Sequence, residues 1–216
     1  MRHAAVVLLL RGIQLLDRWR LRRLARRHPG LSFDPLSSSN LAVARYALAP
    51  GARLHIGPGV VTERIHGALH FDVAEDAHVE IGSGTWLRTD VEPVYIIAFP
   101  GARLRVGPDG FLNGCHLSAK REVTLGRRVY VGFGSRIVDG DQHDLDNGNP
   151  ERVEPVTVGD HVWIAADVTV TRGVSIGDHS VVGTRSLVTK DLPPRTLAYG
   201  IPARARRELG DRSETR

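Results

Sequence analysis

Residues 158–188 read VGDHVWIAADVTVTRGVSIGDHSVVGTRSLV, and an apolar β-branched residue returns at every sixth position of this stretch. These positions are Val158, Ile164, Val170, Ile176, Val182 and Val188. A period of six fits neither a helix, with a period near 3.6, nor an isolated strand, with a period of 2. It is typical of a chain that turns a corner every six residues and stacks on itself. The sequence therefore predicts an all-β fold, a parallel β-helix of hexapeptide repeats.

The period also predicts which side chains stack. Three hexads make one triangular coil, so residues 18 apart should lie above one another. Val158 should lie beneath Ile176, and Ile164 beneath Val182. A small residue follows four of the apolar positions: Gly159, Ala165, Gly177 and Gly183. We expect small residues there because a larger side chain would crowd the backbone at a tight corner.

An internal duplication extends the solenoid toward the N-terminus. Residues 50–58 read PGARLHIGP, and residues 100–108 read PGARLRVGP. Each copy predicts a short strand followed by a glycine-proline corner. The predicted organisation has four parts: a basic amphipathic helix (1–30), a turn-rich connection (31–49), the β-helix domain (50–193) and a C-terminal basic tail (194–216).

The regular spacing is interrupted once, between Ile137 and Val158. The interval of 21 residues is not a multiple of six, and it contains the polar run DGDQHDLDNGNP at 139–150. Binding and catalytic residues are often carried by loops that a rigid scaffold positions. We therefore predict that residues 138–157 form the active-site loop.

Composition restricts the function classes. The formal net charge is +5 and the pI is about 10.0, and the basic residues are almost all arginine. No zinc-finger spacing, basic zipper or RNA-binding aromatic motif is present, so we expect no nucleic-acid partner. The single cysteine, Cys115, excludes an internal disulfide and a cysteine-ligated structural zinc.

The N-terminal segment combines a short apolar run with many arginines. Residues 4–10 are apolar, but seven residues cannot span a bilayer. Leucines and arginines then alternate up to about His28-Pro29-Gly30, which predicts a basic amphipathic helix. This helix could pack on the solenoid or a neighbouring subunit, or make peripheral membrane contact through residues 1–28. A cleaved signal peptide is a third reading, although no convincing cleavage site follows.

Three segments within residues 125–207 resemble the hexapeptide-repeat O-acetyltransferases, the maltose and galactoside acetyltransferase group. The similarity is greatest to members that acetylate polysaccharide precursors, such as those of colanic acid synthesis. The matching segments are DQHD at 141–144, VGDHVWIA at 158–165, and VTKDLPP at 188–194 with GIPA at 200–203. The resemblance implies a left-handed β-helix, a homotrimer, and acetyl-CoA as acyl donor in a cleft between subunits. It also implies transfer of an acetyl group to a sugar hydroxyl of a small molecule or glycan precursor. For localisation we expect the cytoplasm, at the inner face of the membrane if the helix binds lipid.

The resemblance places His143 on the family's catalytic histidine. A sugar hydroxyl is a poor nucleophile, and an imidazole can accept its proton as the oxygen attacks a thioester. The tetrahedral intermediate needs a hydrogen-bond donor, such as a backbone N–H. A carboxylate could orient the imidazole, and the candidates in the loop are Asp139, Asp141 and Asp144.

Further residues are carried over from the resemblance by position. For the acetyl-CoA site these are Ala166 and Thr184 along the pantetheine channel, Thr189 and Lys190 at its mouth, and Arg204 and Arg207 at the phosphates. Guanidinium groups suit phosphate oxygens geometrically. Trp163 and Asn113 are the candidates for contact with the acceptor or the acyl group.

Other functions remain open on the sequence alone. His161 and His179 are 18 apart and should stack, but zinc would require a third convergent ligand, so we expect no metal. An N-acyltransferase acting on an amino sugar is the alternative enzyme. A non-enzymatic β-helix scaffold is the alternative outside catalysis, and it predicts no stabilisation by acetyl-CoA.

Overall fold

The computed structural model describes residues 2–215, and the side chains of the first helix from Val6 onward. Met1 and Arg216, the outer ends of the predicted helix and tail, lie outside the described residues. The described residues contain one α-helix, α1 (Arg2–Arg27), and one 3₁₀ helix (Ser39–Val43). The other elements are short strands. The strands are β1 (Leu31–Phe33), β2 (Arg45–Leu48), β3 (Arg53–Ile56), β4 (Val61–Thr62), β5 (Leu69–Val73), β6 (His78–Ile81), β7 (Trp86–Arg88), β8 (Val94–Ala98), β9 (Arg103–Val106), β10 (Phe111–Asn113), β11 (His116–Ala119), β12 (Glu122–Leu125), β13 (Tyr130–Val131), β14 (Arg136–Val138), β15 (Val156–Val158), β16 (Trp163–Ile164), β17 (Thr169–Val170), β18 (Ser175–Ile176), β19 (Val181–Val182), β20 (Leu187–Val188), β21 (Thr196–Gly200) and β22 (Ala203–Glu208).

The strands form three sheets around a triangular core. Sheet A has the order β1-β3-β6-β9-β12-β15-β18, and sheet B has the order β2-β5-β8-β11-β14-β17-β20. Sheet C has the order β4-β7-β10-β13-β16-β19-β21-β22. From β3 to β20 the chain visits the sheets in the order A, C, B, so each of these coils contributes one strand to each sheet. The prediction of a left-handed parallel β-helix is confirmed.

The predicted columns are present in the strand registers. Val158 is paired with Ile176 in sheet A, and Ile164 with Val182 in sheet C. These side chains are almost completely buried. Burying an aliphatic side chain of this size contributes about 1.5–3 kcal/mol, so the stacked columns stabilise every coil against the next.

The early coils are longer than the late ones. Leu54, Val79 and Leu104 are stacked in sheet A, and their numbers differ by 25 rather than by 18. The duplicated segments at 50–58 and 100–108 are therefore two coils apart. Because these coils have longer corners, the six-residue period does not show in their sequence.

Both segments that flank the predicted β-helix domain also belong to the solenoid. The segment 31–49, predicted as a connection, contains β1 and β2, and Leu31 pairs with Leu54. The segment 194–216, predicted as a tail, contains β21 and β22, which close sheet C as an antiparallel pair. Period analysis missed these strands because they form the ends of the stack, where coils are irregular.

The small residues after the apolar positions prevent a collision between coils. A Cβ on Gly126 would lie 2.8 Å from the carbonyl carbon of Gly159, and one on Gly132 would lie 2.7 Å from that of Ala165. The left-handed backbone of the corners falls two residues further along, for example at His161 (φ 58°) and His179 (φ 60°). At Gly126 and Gly132, glycine is thus required by close approach of the backbone of the next coil.

Helix α1 divides into a docked and a projecting half. Leu21 is buried against the first coil, and Asp17 is completely buried beside Arg64, whose Nε and Nη2 donate to it at 3.0 and 3.1 Å. The apolar side chains of the first half are exposed: Val6, Val7, Leu8, Leu9, Leu10, Leu15 and Leu16. Within residues 2–215, no helix has the length and apolarity needed to cross a membrane.

Candidate active site

His143 lies on a hairpin-like loop that leaves the solenoid between β14 and β15. At its base Glu154 N–H donates to the Asp139 carbonyl at 2.8 Å, and Asp141 N–H donates to the Arg152 carbonyl at 3.1 Å. At its tip Asn149 N–H donates to the Asp146 carbonyl. The His143 side chain is exposed on this loop. Hydrogen bonds therefore hold the two ends of the loop at the solenoid, and the loop exposes the imidazole of His143 to solvent.

The residue before His143 is held from both sides. The Gln142 N–H donates to Glu151 Oε1 at 2.8 Å, and the Gln142 carbonyl accepts from Lys120 Nζ at 3.3 Å. Lys120 Nζ also donates to both Glu151 oxygens, at 2.6 and 2.8 Å. Gln142 has a left-handed backbone (φ 75°), which for a non-glycine residue needs support from its surroundings. The Lys120–Glu151 pair supplies that support and so fixes the direction in which the chain enters His143.

Asp139 has a structural task that removes it from the histidine-orienting candidates. Its carboxylate is fully buried and accepts three backbone N–H groups, each at 2.7 Å. The donors are Lys120, Arg121 and Glu122. Both oxygens are thereby occupied by the corner of the coil below, so this orienting prediction is wrong for Asp139.

The other two aspartates also bind partners other than His143. Asp141 Oδ1 accepts from Arg172 Nε at 2.6 Å, and this hydrogen bond lowers the pKa of the Asp141 carboxyl below its ordinary value. Asp144 Oδ1 accepts from the Glu151 N–H at 2.7 Å. Over the described part of the chain, no hydrogen bond joins either carboxylate to the imidazole. Their predicted role in orienting His143 stays a prediction.

Five of the remaining predicted residues are distributed over two different corners of the solenoid. The B–A corner, where the chain passes from sheet B to sheet A, carries the His143 loop and, two coils further along, Thr189 and Lys190. The C–B corner, where the chain passes from sheet C to sheet B, carries Ala166 and Thr184 in successive coils. The Ala166 carbonyl accepts from the Arg185 N–H at 3.0 Å, which shows that these two turns are stacked.

Asn113 belongs to the C–B corner as well, at the end of β10. Its side-chain Oδ1 is buried and has no hydrogen-bond partner among the described residues. Buried polar atoms are normally hydrogen-bonded, so this oxygen marks a place where a donor is missing. Asn113, Ala166 and Thr184 therefore lie on the same corner of the solenoid, with the coil of β13 between Asn113 and Ala166.

Trp163 and the predicted phosphate-binding arginines lie on sheet C. Trp163 is exposed on β16, and the guanidinium of Arg212 lies 5.9 Å from its ring centre. Arg204 and Arg207 are exposed on β22, the final strand, which pairs antiparallel with β21 at the end of sheet C. Trp163 is therefore separated from His143 by an intervening corner of the same protomer.

Two polar residues in and near the loop were missed by sequence reasoning. Lys120 and Glu151 are 31 residues apart and meet only because the loop folds back over the corner of an earlier coil. The one available signal was that Lys120 is one of two lysines in a chain whose basic residues are otherwise arginine.

Two features considered on the sequence have plain structural roles. Burial raises the pKa of the Cys115 thiol to about 12, so it is not a thiolate near neutral pH. His161 and His179 stack as predicted, with ring centres 5.0 Å apart. His179 Nδ1 accepts from the backbone N–H of Arg212 at 3.1 Å, so this stack anchors the C-terminal segment.

Sequence comparison finds acetyltransferases among the proteins similar to this chain. Residues 155–190 match the family model described as bacterial transferase hexapeptide (six repeats). The galactoside O-acetyltransferase of Escherichia coli K12 is 33% identical over 138 residues, which is 62% of this chain and 66% of that enzyme. The alignments with two further curated relatives cover 59% and 55% of their lengths, so the chain spans less than two thirds of the curated relatives it matches.

A solved acetyltransferase structure shares the fold. The polySia-specific acetyltransferase NeuO is 18% identical, with a TM-score of 0.59 over 88% of this chain and 85% of that one. A galactoside acetyltransferase in complex with coenzyme A is 23% identical, with a TM-score of 0.45 over 95% of this chain and 84% of that one. The predicted resemblance to the hexapeptide-repeat acetyltransferases, including the galactoside group, is confirmed.

Proposed function

We propose that this protein is an acetyl-CoA-dependent O-acetyltransferase that acetylates a sugar hydroxyl of a glycan or polysaccharide precursor. The observation that carries the proposal is the exposed His143 on the single long loop of a solenoid related to galactoside O-acetyltransferase. A loop histidine whose preceding residue is clamped by an ion pair is suited to general-base chemistry, because the imidazole is accessible and its approach is restricted.

In the proposed reaction His143 accepts the proton of the acceptor hydroxyl while that oxygen attacks the acetyl carbonyl. The carbon–sulfur bond then breaks, and the imidazolium returns the proton to the departing sulfur. The products are the O-acetyl sugar and the free thiol, so atoms and charge balance without a metal ion. The donor molecule supplies the activated acetyl group, and the chain supplies the proton acceptor and the binding surfaces.

The C–B corner fits the narrow part of the donor. Ala166 is small and Thr184 is exposed in successive turns, so an extended chain can lie along them without a steric barrier. Arg204 and Arg207 are exposed on β22, at the end of sheet C, and are available for phosphate groups. Thr189 and Lys190 are exposed on the other corner and could reach the same molecule from a neighbouring protomer.

This distribution is the argument for a homotrimer. The His143 loop and the Ala166–Thr184 column lie on different corners of one solenoid, so a single protomer does not bring them to one cleft. Hexapeptide-repeat acetyltransferases are commonly trimeric. In a ring of three, the B–A corner of one protomer can face the C–B corner of the next, which completes three equivalent sites.

The test is His143→Ala, with Lys190→Ala and Arg127→Ala as comparisons. We expect His143→Ala to lower turnover about 100-fold or more while the oligomer and acetyl-CoA binding persist. Lys190→Ala should raise the KM for acetyl-CoA, and Arg127→Ala, on the A–C corner, should change neither constant. Near-normal turnover of His143→Ala would remove this residue from the reaction. Failure of millimolar acetyl-CoA to raise the melting temperature would favour a scaffold.

We also propose peripheral membrane contact through the projecting half of α1. Five consecutive apolar residues, 6–10, are exposed and cover every face of the helix. A helix segment that is apolar on every face is stable when its side chains are buried, as they would be in a lipid bilayer. The arginines that follow it would bind anionic lipid headgroups. A cytoplasmic enzyme with this helix would be held at the inner face of the membrane, close to lipid-linked glycan intermediates.

The membrane proposal is tested by vesicle co-sedimentation. The variant Leu8→Asp/Leu15→Asp should lose binding to vesicles of phosphatidylglycerol and phosphatidylcholine, because both side chains are exposed and neither caps the solenoid. Pure phosphatidylcholine vesicles should bind the unmodified protein more weakly. Unchanged binding of the variant, or its conversion to a smaller oligomer, would assign the helix to another contact.

A further inference from the structure

A groove of about 460 Å³ lies at the N-terminal end of the solenoid, between α1 and the first coil. Sheets A and B begin here with β1 and β2, so in the described part of the chain no further coil covers the apolar side chains of this end. Helix α1 covers some of them with Leu21, which is buried, and Leu24, which is half-buried. Stacked coils need a covered terminal face, and this cap is incomplete.

The floor of the groove is apolar. Ala42, Ala44 and Tyr46 line it beside Leu24, and all four side chains are half-buried against the core. The Tyr46 ring is stacked on Phe71 with ring centres 5.5 Å apart, and its hydroxyl donates to a carbonyl of the 3₁₀ helix at 2.9 Å. The hydroxyl proton is therefore used within the first coil. A floor of this kind favours an apolar ligand group, because that group displaces water from apolar surface.

The rim of the groove is basic and comes from one face of α1. Arg20, Arg23 and Arg27 line it at positions i, i+3 and i+7, so they follow one face over about 10 Å of helix. Trp19 lies beside them, with the Arg23 guanidinium 5.4 Å from its ring centre. None of the described residues that line the groove is acidic. Arg20 has a 3.5 Å contact with the buried Asp17, so Arg23 and Arg27 are the arginines most available to a ligand.

This combination fits an amphiphile that carries an anionic group. Guanidinium groups bind phosphate through paired hydrogen bonds, and the apolar floor beside them suits an acyl chain. The volume is within the range of ~300–1,000 Å³ for small-molecule sites, so the groove holds one molecule and not a patch of bilayer. A second copy of this chain placed end to end would bring two rows of arginine together, which like-charge repulsion disfavours.

The groove directly follows the projecting half of α1. Leu15 and Leu16 are exposed at the end of that half, and the lining of the groove begins at Trp19. Leu16 and Trp19 are about 4.5 Å apart along the helix axis. With the projecting half in contact with a bilayer, the groove is therefore at the level of the lipid headgroups.

We propose that this groove binds one molecule of an anionic phospholipid, with the phosphate at Arg23 and Arg27 and the start of the acyl chains on Ala42, Ala44 and Tyr46. The site goes beyond the membrane contact proposed for α1, because it selects a headgroup and binds one lipid per protomer. It does not depend on the proposed acetyl transfer, since no residue predicted for the acetyl-CoA site lines the groove.

The experiment is a calorimetric titration of the full chain with three soluble probes, each below its critical micelle concentration. The probes are dihexanoyl phosphatidic acid, dihexanoyl phosphatidylcholine and glycerophosphate. The first two differ in the charge of the headgroup, and the first and third differ in the acyl chains. We expect phosphatidic acid to bind at least about tenfold more tightly than either of the others, at one site per protomer, and added salt to weaken it.

The arginines are tested by a pair of double variants. Arg23→Ala/Arg27→Ala should lower the affinity for phosphatidic acid by about tenfold or more. The matched control is Arg22→Ala/Arg26→Ala, which removes two exposed arginines at the same spacing from the same helix. Neither of these two lines the groove, so the control should bind phosphatidic acid like the unmodified protein.

Leu8→Ser/Leu9→Ser separates this site from the membrane contact, because both residues lie in the projecting half and neither lines the groove. It should bind monomeric phosphatidic acid normally even where its binding to vesicles is lost. Equal affinities for the three probes, or equal losses in the two arginine variants, would overturn the proposal. Binding of glycerophosphate as tight as that of phosphatidic acid would show that the apolar floor is not used. Binding of phosphatidic acid only as micelles would assign the effect to a lipid surface, and both results would reject the site.

Discussion

Lys120 Nζ and Glu151 Oε1 lie 2.6 Å apart, and both atoms also bind the main chain of the residue that precedes His143. The pair is mostly shielded from solvent, with side-chain exposures of 16% and 22%. It joins the corner of one coil to the returning strand of the loop. This contact makes the position of His143 depend on a lysine that lies 23 residues earlier in the chain.

Lys120→Ala should therefore impair catalysis without impairing donor binding. Loss of the clamp lets the Gln142 backbone relax, and small displacements of a catalytic group can reduce rates strongly. We expect kcat to fall about tenfold or more, with the KM for acetyl-CoA unchanged, in steady-state kinetics. Lys120→Arg should recover part of the rate because it can keep the ion pair. A rise in the KM for acetyl-CoA as large as the fall in kcat would indicate that the loop serves donor binding instead.

Asp139→Ala should destabilise the solenoid at the loop base. It leaves three backbone N–H groups without their buried acceptor, and each such group has a desolvation cost. We expect a loss of about 3 kcal/mol or more in urea unfolding. Asp144→Ala is the matched control, since Asp144 is exposed and accepts one N–H, and it should cost less than about 1 kcal/mol. Equal costs would show that water replaces the Asp139 carboxylate.

The Asp141–Arg172 pair predicts a pH dependence of the loop. The hydrogen bond from Arg172 lowers the folded-state pKa of Asp141, so its stabilising effect is present above the unfolded value of ~3.9. The effect is lost as the pH falls through the lower folded-state pKa. Arg172→Ala should raise the pKa of the Asp141 carboxyl in an NMR titration. Asp90, whose pKa is lowered by Arg88, is the internal control and should not move.

Gly126→Ala tests the close approach of successive coils. The added Cβ would lie 2.8 Å from the carbonyl carbon of Gly159, a backbone atom that cannot yield without moving its coil. We expect a loss of about 1–3 kcal/mol in urea unfolding. Gly210→Ala, where a Cβ meets nothing within 4 Å, should be close to neutral. Comparable losses for both substitutions would show that the approach to Gly159 is not the cause, and the entropy of the unfolded chain would not explain them, since that term stabilises a Gly→Ala variant.

The sequence by itself determined the late coils and the exit of the loop. The columns of Val158 with Ile176 and of Ile164 with Val182 follow from a period of six, because one corner every six residues leaves a single way to stack. The interruption after Ile137 located the loop by the same logic. The catalytic and cofactor-binding roles of individual residues were inferred from the family resemblance. For most of these residues the structure shows where they lie and does not test the role.

Only the tertiary structure revealed the coils that lack a six-residue period and the hydrogen-bond partners of the polar side chains. The 25-residue coils and the strands β1 and β2 were hidden because their corners are longer and irregular. Asp139 was one of three candidates for orienting His143, and its carboxylate accepts the N–H groups of residues 120–122. A carboxylate binds the donors that the fold brings nearest, and here those donors belong to the preceding coil. The predicted site residues lie on two corners for a similar reason. The corner on which a residue lies depends on the lengths of the coils around it, and the local sequence pattern does not predict those lengths.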